Sequence, residues 1–562
     1  MRDFSRFREQ ANFVALVAAG WLVMICLFGH LGAMGLVGPD EPRYAWIARA
    51  MASTGDWVTP RLYGQPWFEK PVLYYWAAGA GFLVHLPAEW AARLPSALAA
   101  LVTAIAIGWL GVKHYGLRAE LFVSPFILAP LIFSTSVAAI GFARAASPDM
   151  LFSASLTVGM ASAATVLRKG RGLGRYRDPA GSNSISDHRA LGMFGAALGL
   201  AVLAKGPAGI ILAAGAIGIW ALLTARWRDA SRLTHPIAIA AFCAVALPWY
   251  VVCAMRNPDF IHIFIFQHNF ERYLTPMFQH RQPFWYFAPI LILGLLPWTA
   301  GLWSAGEEGR RLWRERAWKN SPGLFFACWA VFPFLFFSFS QSKLPGYILP
   351  AIAPLALVIS VGLQRRVLTR ESSAARGALD DASARGVLAA IGVTWIALGI
   401  SAAVWAHRLP EAAREAPGMT LTHAAIAGIV AGIAIATLGL LRNRGAILCS
   451  FLTVMLLVEI AGARILPALD PYLSARFHGN LLRNDRFPAR VFTFNLTRSW
   501  EYGLDFYLER EVPKWSPDDP NAALVLTTPQ GLEEIRKLGR FQGALDEPYV
   551  GILYVPVLPA PR

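Results

Sequence analysis

At 562 residues, with 56% hydrophobic and only 15% charged residues, the chain is too apolar for a soluble enzyme. Its apolar runs recur at about 18 residues or more, the length that crosses a bilayer, and they lack the alternation of barrel strands, so the class is an all-α polytopic membrane protein. The formal net charge of +16 sits mainly in short linkers between apolar runs, the positive-inside pattern, and argues against a nucleic-acid partner.

The N-terminus is basic, but the run over 12–32 is long and lacks a small-x-small cleavage site, so it reads as a retained first helix. Further spans are expected at 90–112, 119–141, 149–167, 189–204, 207–225 and 236–255. Another group follows at 284–304, 323–339, 346–363, 387–406, 421–441 and 446–465, for about thirteen in all. Segment 71–86 is apolar and aromatic, yet as a helix it would reach only about 24 Å against a core of ~30 Å. Reading it as interfacial also puts the basic linkers on one side with the N-terminus. The five cysteines lie in apolar segments and read as small buried hydrophobes, with neither disulfide nor metal spacing.

With that topology the chemically varied loops fall outside: 33–89, 143–149, Lys205-Gly206-Pro207, 256–283, 340–347 and 407–420. From Leu466 the composition becomes that of a soluble domain, 466–562, following a transmembrane domain over 1–465. Strands are expected at 491–494, 523–528 and 550–555, with helices at 530–537 and 499–509. This is a small α/β domain on the external side.

The stretch from Gly38 to Tyr75 concentrates the charge: G-P-D-E-P-R-Y-A, then W-F-E-K-P-V-L-Y-Y-W. Asp40 and Glu41 open a helix where its dipole favours anions, and simple capping would account for them. Their company of Arg43, Tyr44, Glu69 and Lys70 at a membrane boundary points instead to a site for a substrate with a charged head and a lipid tail. Glu69-Lys70 also reads as a surface ion pair, or as Lys70 meeting a phosphate as a point charge.

Asp149 opens a span after Pro148, an ordinary place for a carboxylate, with Arg144 just before it. Lys205 is confined to a very short turn and is an anion contact. In 256–283, His262 and His268 are not at the i, i+4 metal spacing. His268 is a candidate to join Glu69 in a divalent-metal site, while Arg272, beside Asn269 and Glu271, is a head-group partner. Lys343 and Tyr347 flank Pro345 in a polar break between two apolar spans. Three lysines and several arginines on one face make an anion funnel, and phosphate is the natural anion at a membrane.

These segments resemble the GT-C superfamily of lipid-phosphate-sugar glycosyltransferases, in the branch related to protein O-mannosyltransferases, and most of all the bacterial lipid A aminoarabinose transferases. The likeness is carried by P-D-E-P-R-Y-A, F-E-K-P-V-L-Y-Y-W, A-R-L-P-S-A, S-P-D-M, A-K-G-P, H-N-F-E-R-Y and S-K-L-P-G-Y-I-L-P, in order over about 38–350. It implies inverting transfer of 4-amino-4-deoxy-L-arabinose from undecaprenyl phosphate to a lipid A phosphate, on the periplasmic side of the bacterial inner membrane, by a monomer that requires no cofactor beyond a candidate divalent ion. Asp40 becomes the principal catalytic carboxylate and Asp149 the second acid. Glu41, Arg43, Tyr44, Lys70, Lys205, Arg272, Lys343 and Tyr347 become substrate contacts. A related transferase with another sugar or a protein hydroxyl acceptor shares several of these motifs. A lipid-linked sugar transporter would instead show charges inside the spans and inverted repeats.

Overall fold

The structure, a computed structural model, describes residues 2–116, 124–169, 184–264, 266, 282–365, 378–408, 419–483, 490–519, 521–541 and 552–559. Where no water can satisfy a backbone, the chain satisfies itself as helix. Helix α1 (Arg2–Phe28) leads into a loop that carries α2 (Asp40–Thr54), a two-residue hairpin β1–β2 (Arg61–Leu62, Gln65–Pro66) and α3 (Leu73–Leu83). Then come α4 (Ala88–Tyr115), the pair α5 (Pro125–Ser134) and α6 (Val137–Ala143), α7 (Asp149–Lys169), α8 (Ser184–Lys205) and α9 (Ala208–Thr224). Short α10 (Trp227–Ser231) precedes α11 (Pro236–Arg256), then α12 (Phe287–Gly294), α13 (Gly301–Arg314), α14 (Pro322–Ser338) and α15 (Leu349–Leu363). The helical part closes with α16 (Ala378–Arg408), α17 (Met419–Leu440), α18 (Gly445–Ile460) and α19 (Leu466–Leu473).

Among the described residues, eight helices are long and apolar enough to cross a membrane, or ten if each of two bent pairs is one span. Helices α9 and α14 are apolar but have 17 residues each. The expected count of about thirteen is therefore not reproduced by length and composition. Two spans read as straight are broken: α5 and α6 meet at 65°, and α12 and the helix over Trp298–Arg314 at 108°. The breaks satisfy each other. Trp298 Nε1 donates to Thr135 Oγ1 at 2.8 Å, and the Val137 amide donates to the Leu296 carbonyl at 3.1 Å. Freed backbone groups in an apolar layer need such partners.

Helix α3 has 11 residues, too short to span, as the sequence implies. Helix α2 is enclosed by protein, with Ala45, Ile47 and Ala48 fully buried.

The C-terminal region adds α20 (Arg476–Arg483), β3 (Val491–Phe494), α21 (Arg498–Leu508), β4 (Ala523–Thr527), α22 (Pro529–Lys537) and β5 (Leu553–Val557). Strand β4 is central, parallel to β3 and antiparallel to β5, with Val525 opposite Val555. The third strand thus lies a few residues beyond its expected place. Leu504, Phe506 and Tyr507 of α21 belong to the same core as the helical layer, and a smaller core of Trp515, Val525, Ile535 and Val555 lies in the sheet region.

Helices α16 and α17 are antiparallel and meet through glycines. A Cβ built on Gly399 would lie 2.7 Å from the Ala425 carbonyl oxygen, and one on Gly439 would lie 2.7 Å from the Ala389 nitrogen. Close backbone approach of this kind is how helices associate where lipid removes the hydrophobic drive.

Candidate active site

Gly38, at φ +67°, turns the chain so that α2 begins at Asp40, with Asp40 and Glu41 in its first turn. Successive helical residues diverge by about 100° around the axis, and these two part company. The Asp40 side chain is 55% exposed, whereas Glu41 is 8% exposed. The Glu41 carboxylate accepts the Val37 amide at 2.9 Å and the Ala146 amide at 2.7 Å, and pairs with Arg93 at 2.7 Å. Arg93 in turn donates to the carbonyls of Leu31, Met34 and Gly35. Glu41, expected as a substrate contact, is therefore a clamp that ties the first loop to α4 and to the turn before α7. A buried carboxylate must be paired, and this one spends its oxygens on protein donors.

One turn into α2, Arg43 Nη2 meets Asp40 Oδ1 at 2.5 Å and Glu69 Oε2 at 2.9 Å. Glu69 also pairs with Lys70 at 3.5 Å. Burial disfavours the Arg43 charge, but Glu69, Tyr44 and Asp40 outweigh it and hold the guanidinium more firmly protonated than usual. Burial, with Glu69 and Asp40, raises Tyr44 well above the ordinary phenol range, so it stays neutral. The result is a half-exposed carboxylate backed by a fixed cation.

The second half comes from farther along the chain. Asp149 opens α7 and Lys205 closes α8, and their side chains form an ion pair. The Lys205 ammonium lies 4.6 Å from the centre of the Tyr347 ring. The Lys70 ammonium lies within electrostatic range of Asp149, which joins the two halves. Gly346 is needed for this approach: a Cβ there would sit 2.8 Å from Asp149 Oδ1 and 2.9 Å from the Phe142 ring.

Lys343, only 6% exposed, donates to the Ser340 carbonyl and, at 3.1 Å, to the Gln282 carbonyl. It pins the segment before Tyr347, and no bond to Asp149 or Lys205 is seen. Tyr347 sits in a single 3-10 turn over Pro345–Ile348, the turn that Pro345 implies. Arg272 and His268 lie outside the described residues, so the expected Glu69–His268 pairing does too. Among the described residues no group of three or more His, Cys, Asp or Glu is arranged to hold a metal.

Beside the charged cluster lies an apolar cavity of about 380 Å³, lined by residues that include Gly141, Phe142, Leu293, Pro345, Ile348 and Ile352. Phe142 and Pro345 belong to its wall, and Gly346, next to Pro345, packs close to both Phe142 and Asp149, so the wall of the cavity is one residue away from the ion pair.

Three contributors escaped the sequence reading. Arg93 sits near the start of an apolar span, where a buried guanidinium demands a carboxylate; that demand was the available signal. Tyr63 and Tyr502 carry no such mark. Tyr63 donates to Asp505 Oδ2 at 2.6 Å, and the Tyr502 ring lies 5.7 Å from the Arg43 guanidinium. Both contacts depend on α21 folding back over α2, which no local pattern announces.

Comparison with known proteins bears out the resemblance. Residues 13–264 match the family model described as dolichyl-phosphate-mannose-protein mannosyltransferase. The undecaprenyl phosphate-alpha-4-amino-4-deoxy-L-arabinose arabinosyl transferase of Edwardsiella ictaluri is 33% identical over 363 residues, 64% of this chain and 61% of the relative. Its counterpart from Erwinia tasmaniensis is 32% identical over 322 residues, 57% of this chain and 54% of the relative. The chain thus matches less than two thirds of the length of either curated relative. The crystal structure of ArnT from Cupriavidus metallidurans bound to undecaprenyl phosphate superposes with a TM-score of 0.75 at 22% identity, covering 96% of this chain and 97% of that one. Its apo form gives 0.73 at 23% identity, covering 96% and 98%. The fold is that of these two solved structures.

Proposed function

We propose that the chain is an inverting glycosyltransferase of the inner membrane that moves 4-amino-4-deoxy-L-arabinose from undecaprenyl phosphate to a lipid A phosphate, working as a monomer with its active site and C-terminal domain in the periplasm. The observation that carries this reading is the surroundings of Gly346: its neighbours Pro345 and Phe142 line an apolar cavity, while Gly346 itself packs close to Asp149, which pairs with Lys205 and lies within electrostatic range of Lys70. A donor with a phosphate head and a polyprenyl tail has that polarity. The named relatives and the ArnT fold supply the sugar and carrier.

The chemistry assigns roles. A phosphate acceptor is already anionic near neutral pH, with a second pKa about 6, so it needs no strong base. Asp40, exposed beside Arg43, orients the acceptor or holds the ammonium of the aminosugar. Departure of the carrier phosphate leaves an anion, and Lys70, Lys205 and Arg43 are the cations nearest the site. Fixed charges aimed at developing charge usually supply the largest catalytic contribution. Transport is disfavoured because the acids and the lysine of the site sit at helix ends and not inside spans: Asp40 and Asp149 open α2 and α7, and Lys205 closes α8.

Mass spectrometry of lipid A from cells with and without the protein tests the whole proposal. A gain of one aminopentose per modified phosphate is the expected result; an unchanged lipid A beside another modified product would redirect it.

A further inference from the structure

Arg43 meets both carboxylates through the same nitrogen, Nη2, and its Nε is buried with no hydrogen-bond partner among the described residues. Two contacts to one nitrogen fix the position of that nitrogen, and the plane of the guanidinium is further set by what packs against its faces. The remaining restraint comes from rings. Tyr44, Trp67 and Tyr502 lie 5.3, 5.4 and 5.7 Å from the guanidinium carbon. Tyr44 and Trp67 belong to the first loop, whereas Tyr502 is delivered by α21 from more than four hundred residues away in the sequence.

Helix α21 is itself held in register on α2 and the hairpin. Tyr502, Asp505 and Phe506 follow the i, i+3, i+4 spacing of one helix face. Asp505 accepts the Tyr63 hydroxyl at 2.6 Å, and Tyr63 stacks on Tyr502 with ring centres 6.4 Å apart. The Phe506 ring lies 4.2 Å from the Arg49 guanidinium, which donates to the Phe506 carbonyl at 2.8 Å. These contacts set the position of the Tyr502 ring against Arg43.

We propose that Tyr502 is a positioning residue of the active site: its ring fixes the plane of Arg43, and through Arg43 the orientation of Asp40. The C-terminal domain then completes the site. This inference rests on the transferase reading for its kinetic consequence, though not for its structural one.

The test uses the full chain reconstituted with aminoarabinosyl undecaprenyl phosphate and lipid A, beside a second readout that is blind to the sugar. That readout is the rate at which an arginine-specific dicarbonyl reagent modifies Arg43, followed by mass spectrometry. Tyr502→Ala should lower kcat about 5- to 30-fold, the range a desolvated cation–π contact implies, with KM for the lipid donor within about twofold. It should also speed Arg43 modification severalfold, and Tyr502→Phe, which keeps the ring, should restore both. Unchanged Arg43 reactivity in Tyr502→Ala, or a Phe variant as impaired as Ala, would overturn the assignment. If wild type moves no aminopentose, the transferase reading fails, and Arg43 reactivity still decides the role of Tyr502.

Discussion

Lys205 and Asp149 form an ion pair although 56 residues separate them, because α7 and α8 deliver their ends to the same level. Neither side chain is more than 19% exposed. Removing one partner from such a pair leaves a charge with little solvent, at a cost of about 3–5 kcal/mol. Lys205→Met alone should therefore lower thermal stability markedly. The double variant Asp149→Asn with Lys205→Met should regain most of that loss yet remain inactive in sugar transfer. Melting curves and turnover of wild type and the two variants check this, and recovery of turnover in the double variant would reduce the pair to scaffolding.

The adjacent carboxylates of α2 should fail differently. Asp40→Asn should keep the fold and lower transfer by at least about 100-fold, the scale of losing one positioning or electrostatic contact at a reacting centre. Glu41→Gln weakens the clamp on Arg93 and should destabilise the protein, so that less folded enzyme is recovered. Yield and turnover per folded molecule separate the outcomes. Near-normal transfer by the Asp40 variant would leave that residue only a structural part.

Gly346→Ala offers a probe that changes no charge. The added methyl must displace the Asp149 carboxylate or the Phe142 ring, each within 3 Å of it. We expect turnover to fall about tenfold or more, since small misplacements at a reacting centre are costly. The size of the thermal shift will show whether the ring or the carboxylate gives way.

Two buried groups in the C-terminal region oppose each other in acid. Burial holds His478 down to about 4 from 6.5, so stability is lost as pH falls through that interval. Burial raises Asp505 to about 6 from 3.8, with Glu511 and Glu501 adding to it. The folded state then holds this proton more tightly than the unfolded chain, and stability is gained as pH falls from 6 toward 4. Each effect is at most about 3 kcal/mol, and the two oppose each other over pH 6 to 4. Asp505→Asn removes only the gain, so its melting temperature should drop by a few degrees more than that of wild type over the same window. A profile parallel to that of wild type would contradict the assignment.

The sequence reading succeeded where chemistry is local. Asp40 at a helix start, Lys205 in a tight turn and the shortness of α3 all follow from spacing, charge and length. The inward turn of Glu41 is not legible there, because a composition of charges says nothing about which face each occupies; it follows from the pairing with Arg93 in α4. Hydropathy suggests straight spans at 119–141 and 284–304 because it does not register that Thr135 and Trp298 bond across two breaks. Tyr502 was invisible for a related reason: its partner belongs to the other end of the chain.

The glycine contacts between α16 and α17 have a mechanical meaning. With bare backbone against bare backbone, sliding or rotation of either helix alone brings backbone into collision, so the pair is mechanically one element. Movement in this part of the protein must carry both helices together.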